Sequence, residues 1–402
     1  MQPFTHILAL VVAVAPFFAQ AAPLSTRPSE DIVAGKYLVQ LMPDVDVASI
    51  ASHHQKVRGI KARNLGRRDD AEEDTSIQEY DLGDFKGYAG SFDSATIAEL
   101  EAMPEVMLVE KDFMMHTFAL VSQSNAGWGL GSISSRTRGA TSYIYDSTAG
   151  QGTYSYVLDS GIRTTHVEFE GRASWGYNSV NTVNTDNFGH GTHVAGIIGA
   201  KTYGVAKKTN LIAVKVIGDD GLGAASGVLD GLNWALNDIV TKNRRPTAVI
   251  NMSLGGPASS VIDNAMTAVS NQGVLAVVAA GNENQLASNV SPARAPTALC
   301  VGNINSNYTR APTSNYGSAV DIWAPGTDIV STWYTSDTAT HTESGTSMAA
   351  PYVAGIVSYL RALEGPSIGP AARTRVLALA TPGRVTDTLG APNLLVYNGN
   401  GR

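Results

Sequence analysis

Residues 154–161 read Tyr-Ser-Tyr-Val-Leu-Asp-Ser-Gly, an apolar run that ends abruptly in an acidic residue and a glycine turn. Further apolar runs follow and alternate with helix-like segments, a pattern typical of a parallel sheet covered by helices on both faces. We therefore predict an α/β fold with a doubly wound, mostly parallel sheet. The predicted strands are 154–158, 210–216, 248–252, 274–279 and 298–302, and the predicted helices begin near Gly191, Gly227, Val261 and Ser347.

Three short islands in this part of the chain combine a reactive side chain with glycine or another small residue. They are Asp159-Ser160-Gly161, His190-Gly191-Thr192-His193, and the run from Gly345 to Pro351 that contains Ser347. Together they supply an acid, a base and a nucleophile, the groups that serine acyl transfer requires. The order acid, base, nucleophile is that of subtilisin, whereas trypsin-like enzymes begin with His and lipase-like enzymes with Ser.

The three islands predict a separate catalytic role for each reactive residue. Asp159 lies at the carboxyl end of a predicted strand, where open α/β sheets place their active sites, and would fix the tautomer of His190. His190 would take the proton of Ser347 and return it to the leaving amine. Ser347 precedes an apolar helix with Pro351 in its first turn, so the Ser347 amide would face a developing oxyanion. Asn282, which follows the strand 274–279, is the candidate for a second oxyanion donor.

Each of these residues also has a simpler interpretation. Asp159 and Asn282 could be ordinary turn residues, and Ser347 could be a helix N-cap. His193 lies one helical turn after His190, which raises the alternative of a two-histidine metal site. Because no glutamate completes a His-Glu-x-x-His pattern there, we interpret His193 as structural. The occurrence of all three islands in one chain favours catalysis.

Composition limits the remaining classes of function. The chain has 402 residues, 44% hydrophobic and 16% charged, which is enough to bury a large core. Its formal net charge of −7 argues against broad electrostatic binding to nucleic acid or to an anionic membrane. Cys300 is the only cysteine, so no intrachain disulfide can form, and we interpret it as a small buried hydrophobic residue.

The N-terminal quarter reads as a leader and a separate module. Residues 7–18 are apolar but too few to span a bilayer, and Ala19-Gln20-Ala21 is a small-x-small cleavage site, so residues 1–21 are a predicted signal peptide. A membrane anchor is the alternative. Residues 22–118 predict a small α+β domain with strands at 36–41 and 106–110 and a helix at 94–103. The run 67–74 is interpreted as a solvated loop, with a dibasic processing site as the alternative.

Beyond the three islands, further segments carry a resemblance to a known family. They are Trp128-Gly129-Leu130, 203–208, 251–256 and 314–317. On these residues the chain resembles the subtilisin-like serine proteases, most closely the proteinase K branch and its fungal secreted alkaline proteases. The resemblance covers nearly the whole chain. It implies a signal peptide, a propeptide over 22–118 that templates folding and inhibits intramolecularly, and a catalytic domain over 119–402.

The resemblance also implies specific sites. Asp159, His190 and Ser347 correspond to the triad and Asn282 to the oxyanion side chain. Ser253-Leu254-Gly255 and Ala279-Ala280-Gly281 would wall the primary specificity pocket, and Gly221-Leu222-Gly223 would pair with an extended substrate backbone. Proteinase K-like enzymes hold calcium through two carbonyls and a carboxylate, which match Pro296, Ala298 and Asp321. Such an ion would be structural, and no cofactor is expected for the chemistry.

The chain departs from the family pattern at two places. Ala350-Pro351-Tyr352 stands where relatives usually have Thr-Pro-His, and Val194 stands where many proteinase K relatives have a cysteine. Neither departure touches the triad. The second means that family disulfides cannot be carried over.

Specificity and modification follow from the same segments. The implied pocket walls are small and uncharged, which predicts apolar or aromatic residues on the acyl side of the cleaved bond and broad tolerance elsewhere. Phe118, at the predicted junction before Ala119, fits such a pocket. Glycosylation sequons occur at Asn251, Asn289 and Asn307; Asn251 lies on an apolar strand, so only Asn289 and Asn307 are candidate sites.

Two other classes of protein fit the sequence less well. A lipase-like esterase would need Gly-x-Ser-x-Gly, and the run around Ser347 lacks the second glycine. A catalytically dead binding protein would normally have lost a triad member, and none is missing. The sequence therefore predicts a secreted, monomeric endopeptidase whose partners are protein and peptide substrates and its own propeptide, with no nucleic acid or membrane partner.

Overall fold

The computed structural model describes residues 32–65, 76–114 and 120–401, which divide into two compact units, 32–114 and 120–401. The predicted signal peptide, the charged run 67–74 and the junction at Phe118 lie outside the described residues, so these remain predictions. None of the helices in the described ranges is long and apolar enough to cross a membrane.

The first unit contains four strands and two helices among its described residues. They are β1 (Ile32–Leu41), α1 (Val47–Leu65), β2 (Ile77–Leu82), β3 (Phe85–Ser91), α2 (Ser94–Glu101) and β4 (Val106–Phe113). The strands form one antiparallel sheet in the order β2-β3-β1-β4. This is the small α+β domain that the sequence predicts. Helix α1 was not predicted, because its buried face includes the polar His53, His54 and Lys61, which weakens the apolar periodicity.

The second unit contains the remaining elements. They are β5 (Leu120–Gln123), α3 (Gly127–Ser134), β6 (Tyr143–Asp146), β7 (Tyr154–Asp159), β8 (Ala173–Asn178), α4 (His190–Gly199), β9 (Asn210–Lys215), α5 (Ala225–Thr241), β10 (Ala248–Met252), β11 (Gly256–Pro257), α6 (Ser260–Asn271), β12 (Leu275–Ala279), β13 (Val290–Ser291), β14 (Leu299–Ile304), β15 (Ile322–Pro325), β16 (Ile329–Thr332), β17 (Thr340–Glu343), α7 (Thr346–Glu364), α8 (Gly369–Leu379), β18 (Thr381–Pro382) and β19 (Leu394–Leu395).

A nine-stranded sheet forms the centre of this unit, in the order β18-β19-β15-β14-β12-β10-β7-β9-β8. All neighbours pair in parallel except β18 and β19 at one edge. Strand β7 has β9 on one side and β10 on the other, so the chain winds away from β7 in both directions. Open parallel sheets form their binding crevice at such a switch point, beyond the carboxyl ends of the strands.

Both faces of the sheet are buried, which explains why its strands are continuously apolar. Successive side chains of a strand point to opposite faces, so Val157 packs into one layer while Tyr156 and Leu158 pack into the other. Helices α4 and α7 cover the first face, and α5 and α6 cover the second. The predicted fold class is therefore confirmed, and the five predicted strands and four helix starts agree with the structure within two residues.

Candidate active site

Asp159 and His190 meet at the carboxyl end of β7. Asp159 is the last residue of β7 and is 1% exposed, and His190 is the first residue of α4. His190 Nδ1 lies 2.8 Å from Asp159 Oδ1 and 3.0 Å from Oδ2. Because a carboxylate can only accept, Nδ1 carries the proton and Nε2 is left as the basic nitrogen.

Gly189 sets the approach of His190 to this position. Its φ of +103° lies in the left-handed region, which favours glycine. A Cβ at Gly189 would also lie 2.5 Å from the ring of Tyr334 and 2.7 Å from that of Trp333. The glycine before the histidine is therefore required both by the backbone turn and by close packing.

The charge around His190 favours its protonated form. Burial acts to lower the pKa of His190, but the charge and hydrogen bond of Asp159, followed by the charges of Glu343 and Asp186, raise it above its ordinary value. Glu343 lies at the end of β17, where its Oε1 is 3.2 Å from His341 Nε2. The base is therefore surrounded by carboxylates from three separate segments of the chain.

Ser347 is the second residue of α7, whose buried face packs against α4. Its hydroxyl donates to the carbonyl of Ser253 at 3.2 Å. Pro351 is the sixth residue of the helix, so the prediction that it lies in the first turn is wrong. Since proline has no N–H, it leaves the carbonyl of Ser347 without its helical partner, and the hydroxyl of Ser253 donates to that carbonyl at 2.8 Å.

Asn282 follows strand β12 and faces the start of α7. Its Oδ1 accepts from the Thr346 amide at 2.8 Å and from the Thr346 hydroxyl at 3.1 Å. These two bonds fix which end of the carboxamide faces Thr346, so the Nδ2 donor is left free of Thr346. The amide of Ser347, in the first turn of α7, has no helical acceptor of its own. The side chain of Asn282 and the amide of Ser347 are therefore the two candidate oxyanion donors at the start of α7.

His193 lies on the buried side of α4. Its Nε2 is 3.0 Å from the carbonyl of Ile329 and 3.1 Å from that of His341, so Nε2 carries the proton. Burial lowers the pKa of His193 to about 4. A neutral, fully buried imidazole that donates to two carbonyls agrees with the structural interpretation of this residue. Within the described ranges, no group of three or more His, Cys, Asp or Glu side chains is arranged to hold a metal ion.

A cavity of about 540 Å³ opens beside Ser347 and Asn282. Of the predicted pocket walls, Leu254, Gly255, Ala279 and Gly281 line it. Ser253 does not, because its hydroxyl is turned to Ser347, and Ala280 is packed into the core behind the sheet. The other lining residues are Gly256, Pro257, Glu283, Gln285, Asn289, Val290 and Thr346.

The pocket contains a charged residue, so the prediction of uncharged walls is wrong. Glu283 is exposed and lines the cavity, and its Oε2 accepts from Asn315 Nδ2 at 2.7 Å. The sequence does not single out this carboxylate, because Glu283 belongs to the loop that continues after Asn282 and not to a predicted strand end. The expectation of small, uncharged walls is therefore corrected.

The predicted substrate edge, Gly221-Leu222-Gly223, is a tight turn. Gly221 has a φ of +78°, and the Gly218 amide donates to the carbonyl of Leu222 at 2.7 Å. The Leu222 amide donates to Asp220 Oδ1 at 3.0 Å, while the Leu222 side chain is 72% exposed. The backbone groups of Leu222 are therefore used inside the turn, and pairing of this segment with substrate stays a prediction.

The predicted calcium ligands do not fit a cation as they are arranged. Asp321 Oδ2 accepts from the Cys300 amide at 2.9 Å, and Oδ1 is 2.5 Å from Arg373 Nη2. Burial raises the pKa of Asp321 against the opposing effects of the Cys300 amide and Arg373. A calcium ion held by Asp321, Pro296 and Ala298 would have to displace the guanidinium that already neutralises the carboxylate.

The three sequons lie in different environments. Asn251 is fully buried on β10, in agreement with its exclusion as a glycosylation site. Asn289 is exposed but lines the cavity beside Ser347, and its Nδ2 donates to Gln285 at 3.2 Å. Asn307 is exposed in the turn after β14, where its Oδ1 accepts from Thr309. Glycan attachment at Asn289 and Asn307 stays a prediction.

Some residues near the site were missed from the sequence. Lys215 is fully buried and donates from Nζ to the Ser160 carbonyl at 2.7 Å and to Asp219 at 3.0 Å. Asp186 is buried in the loop before α4. It accepts hydrogen bonds from the Ser160 hydroxyl, next to Asp159, and from the Gly189 amide, next to His190. An acidic residue shortly before a helix start is a capping signal, which could have identified Asp186. A lysine at a strand end carries no comparable signal.

Comparisons with known proteins identify the family. Residues 150–399 match the Subtilase family, and residues 36–118 match Peptidase inhibitor I9. Alkaline protease 1 of Aspergillus clavatus is 51% identical over 99% of this chain and 100% of its own. Alkaline proteinase of Hapsidospora chrysogena is 50% identical over 95% of this chain and 96% of its own.

A solved structure shows the same fold. It is the crystal structure of a cold-adapted subtilisin-like serine proteinase, 42% identical, with a TM-score of 0.64 over 68% of this chain and 99% of that chain. The resemblance stated from the sequence is thus confirmed. The chain belongs to the subtilase family of serine proteases and carries an I9 inhibitor domain ahead of its catalytic domain.

Proposed function

We propose that this chain is a secreted endopeptidase that cleaves proteins through Asp159, His190 and Ser347. The observation that carries the proposal is the 2.8 Å hydrogen bond between Asp159 and His190 at the carboxyl end of β7, with Ser347 at the start of the helix packed against α4. Asp159 holds the His190 tautomer whose free Nε2 is a base. No cofactor takes part in this chemistry.

The reaction begins with a rotation of the Ser347 side chain. Its hydroxyl, which now donates to the carbonyl of Ser253, turns towards His190 Nε2, and side-chain rotations of this kind take picoseconds to nanoseconds. As the Ser347 oxygen attacks the scissile carbonyl carbon, His190 takes the hydroxyl proton. The tetrahedral oxyanion receives hydrogen bonds from Asn282 Nδ2 and the Ser347 amide.

Collapse of the intermediate releases the amine product. His190 returns its proton to the leaving nitrogen, the carbon–nitrogen bond breaks, and the acyl group stays on Ser347 as an ester. A water molecule then gives a proton to His190 and attacks the ester. As the bond between the acyl carbon and the Ser347 oxygen breaks, His190 returns the proton to that oxygen, and the acid product leaves. Asp159 accepts the hydrogen bond from His190 Nδ1 and stabilises the imidazolium that forms in both halves of the reaction.

The pocket next to Ser347 supports a broad specificity. Leu254, Pro257, Ala279 and Val290 give it apolar walls, which suit apolar or aromatic acyl-side residues. Glu283 adds a carboxylate that could pair with a basic side chain. The turn at Gly221-Leu222-Gly223 is proposed to pair with the substrate backbone, as in β-augmentation.

The remaining features concern synthesis and export. Residues 1–21 are proposed as a secretion signal and residues 22–118 as a propeptide that acts as intramolecular inhibitor; the I9 match over 36–118 supports the second assignment. The mature enzyme, 119–402, is proposed to act as a monomer on protein and peptide substrates, with no nucleic acid or membrane partner. Of the two sequons, Asn307 is the more suitable for a glycan because Asn289 lines the cavity.

The central test is the loss of proteolysis with Ser347. Ser347→Ala should abolish casein hydrolysis and accumulate the unprocessed precursor, because the variant cannot cleave its own junction. Phenylmethylsulfonyl fluoride should abolish the activity of the wild type. Efficient maturation of Ser347→Ala expressed alone would show that another protease processes the chain. Casein hydrolysis that survives both the inhibitor and the substitution would contradict the proposed nucleophile.

The pH dependence reports the state of His190. The base must be neutral, and its pKa is raised above 6.5, so kcat/KM should rise with pH through a midpoint above 6.5. Asp159→Asn removes the strongest of the effects that raise this pKa, so the midpoint of its residual activity should move to lower pH. Glu343→Gln should move it in the same direction by less. An acid limb that does not respond to either change would exclude His190 as the titrating base.

The role of Glu283 can be measured with peptide substrates that differ only in a Lys or Phe on the acyl side. Glu283→Gln should lower kcat/KM about 3- to 10-fold for Lys, since an exposed ion pair contributes about 1 kcal/mol, and should leave Phe nearly unchanged. Glu364→Gln, which breaks an exposed ion pair with Arg375 on α7 and α8, is the matched control. Equal losses for Lys and Phe would mean that Glu283 does not contact the substrate.

Calcium dependence tests the arrangement at Asp321. If Arg373 takes the place of a cation there, Arg373→Met should lower the Tm of the inhibitor-inactivated enzyme, and calcium should restore part of the loss relative to EDTA. Arg375→Met, on the same helix but paired with exposed Glu364, controls for the loss of an arginine. A wild type that calcium stabilises as strongly as the Arg373→Met variant would favour an ion at Asp321.

A further inference from the structure

A buried carboxylate stands behind the proposed triad without taking part in its chemistry. Asp186 lies four residues before His190, in the loop between β8 and α4, and is 5% exposed. A buried carboxylate costs several kcal/mol unless its oxygens are fully hydrogen-bonded. The partners of Asp186 therefore show what it is there to hold.

The first oxygen connects the two segments that carry Asp159 and His190. Asp186 Oδ1 accepts from the Ser160 hydroxyl at 2.9 Å and from the Gly189 amide at 2.8 Å. Ser160 directly follows Asp159, and its Oγ also accepts from the Gly191 amide at 2.9 Å. The residues on either side of His190 are thus bonded, through Asp186 and Ser160, to the residue next to Asp159.

The second oxygen holds the first turn of α4. Asp186 Oδ2 accepts from the Thr192 amide at 3.0 Å and from the Thr192 hydroxyl at 2.5 Å. Gly189 occupies the N-cap position and has no side chain to cap the helix, so Asp186 supplies the missing acceptor and a negative charge at the positive helix end. Thr192 Oγ1 also accepts from the Arg163 amide at 2.9 Å, in the segment that follows Asp159.

We propose that Asp186 is a positioning residue for the triad, which fixes His190 relative to Asp159 by bonding both the turn after β7 and the start of α4. The proposal rests on the proposed function of Asp159, His190 and Ser347. Its physical basis is that one rigid carboxylate serves donors from both segments, so neither can shift without breaking a buried hydrogen bond. A reacting group displaced by about 1 Å can lose about 100-fold in rate.

Asp186 also contributes charge near His190. The other ionisable groups around this imidazole are Asp159 on β7, Glu343 on β17 and His193 on α4. A carboxylate that only capped the helix would affect the stability of the fold. One that also orients His190 and raises its pKa would change kcat and the acid limb of the pH profile as well. These two roles can therefore be separated by experiment.

The test compares Asp186→Asn and Ser160→Ala with the wild type, using the full chain, which matures itself. Active sites are titrated with phenylmethylsulfonyl fluoride so that kcat refers to competent enzyme. Asp186→Asn keeps the shape but places an amide donor against N–H donors. It should lower kcat about 10- to 100-fold with KM changed less than about threefold, and should move the acid limb of kcat/KM to lower pH. Ser160→Ala should lower kcat in the same way by less.

The matched control is Asp146→Asn on β6, which changes a buried carboxylate that accepts from the Thr148 amide, away from the segments that carry Asp159, His190 and Ser347. It should lower the Tm of the inhibitor-inactivated enzyme without changing kcat or the acid limb. A double variant of Asp186 and Ser160 should lose little more than Asp186→Asn alone, because the two side chains act through one connection.

Three outcomes of these measurements would overturn the role proposed for Asp186 or the proposed function. If Asp186→Asn and Ser160→Ala lower only the Tm and keep kcat within twofold, Asp186 is a helix cap and the proposal is overturned. If Asp186→Asn does not fold, Ser160→Ala decides alone, and an unchanged kcat again overturns the proposal. If the wild type itself is active but cannot be titrated at Ser347, the proposed function fails instead.

Discussion

The site depends on the burial of strand β7 between two parallel neighbours and two layers of helices. Because β9 and β10 pair with β7 on both sides and helices cover both faces, only the ends of the strand are left to meet other segments of the chain. Asp159 stands at the carboxyl end. Helices α4 and α7 pack on the same face of the sheet, so the packing of the core places the helix starts that carry His190 and Ser347 at the same edge of the sheet.

Packing places these segments only approximately, and hydrogen bonds between buried polar groups set the finer geometry of the site. Pro351 removes a helical hydrogen bond, which frees the Ser347 carbonyl for Ser253. Thr346 holds one end of Asn282 so that the other end can donate. Lys215 fixes the Ser160 carbonyl behind Asp159. Each group is satisfied by a partner distant in sequence, and satisfied polar networks in a low-dielectric interior hold a single arrangement firmly. The active-site residues are therefore oriented before substrate arrives.

Much of this could be predicted from the sequence. The strand pattern predicted the fold class, and the islands around Asp159, His190 and Ser347 predicted the family, because strand ends and helix starts carry strong local signals. Helix α1 was missed, since its buried face includes histidines and a lysine. Glu283 and Arg373 were also missed. Their roles come from contacts with Asn315 and Asp321, which lie 32 and 52 residues away along the chain.

The sequence by itself determined which residue types are available, which segments form strands and helices, and the order in which the islands of Asp159, His190 and Ser347 follow one another. Those properties are local, because they follow from side-chain periodicity and backbone preference over a few residues. The tertiary structure alone decided that Asp186 bonds both Ser160 and Thr192, that Glu283 lines the pocket, and that Arg373 neutralises Asp321. Such pairings depend on distances of a few ångströms between residues that only the packed sheet and helices bring together.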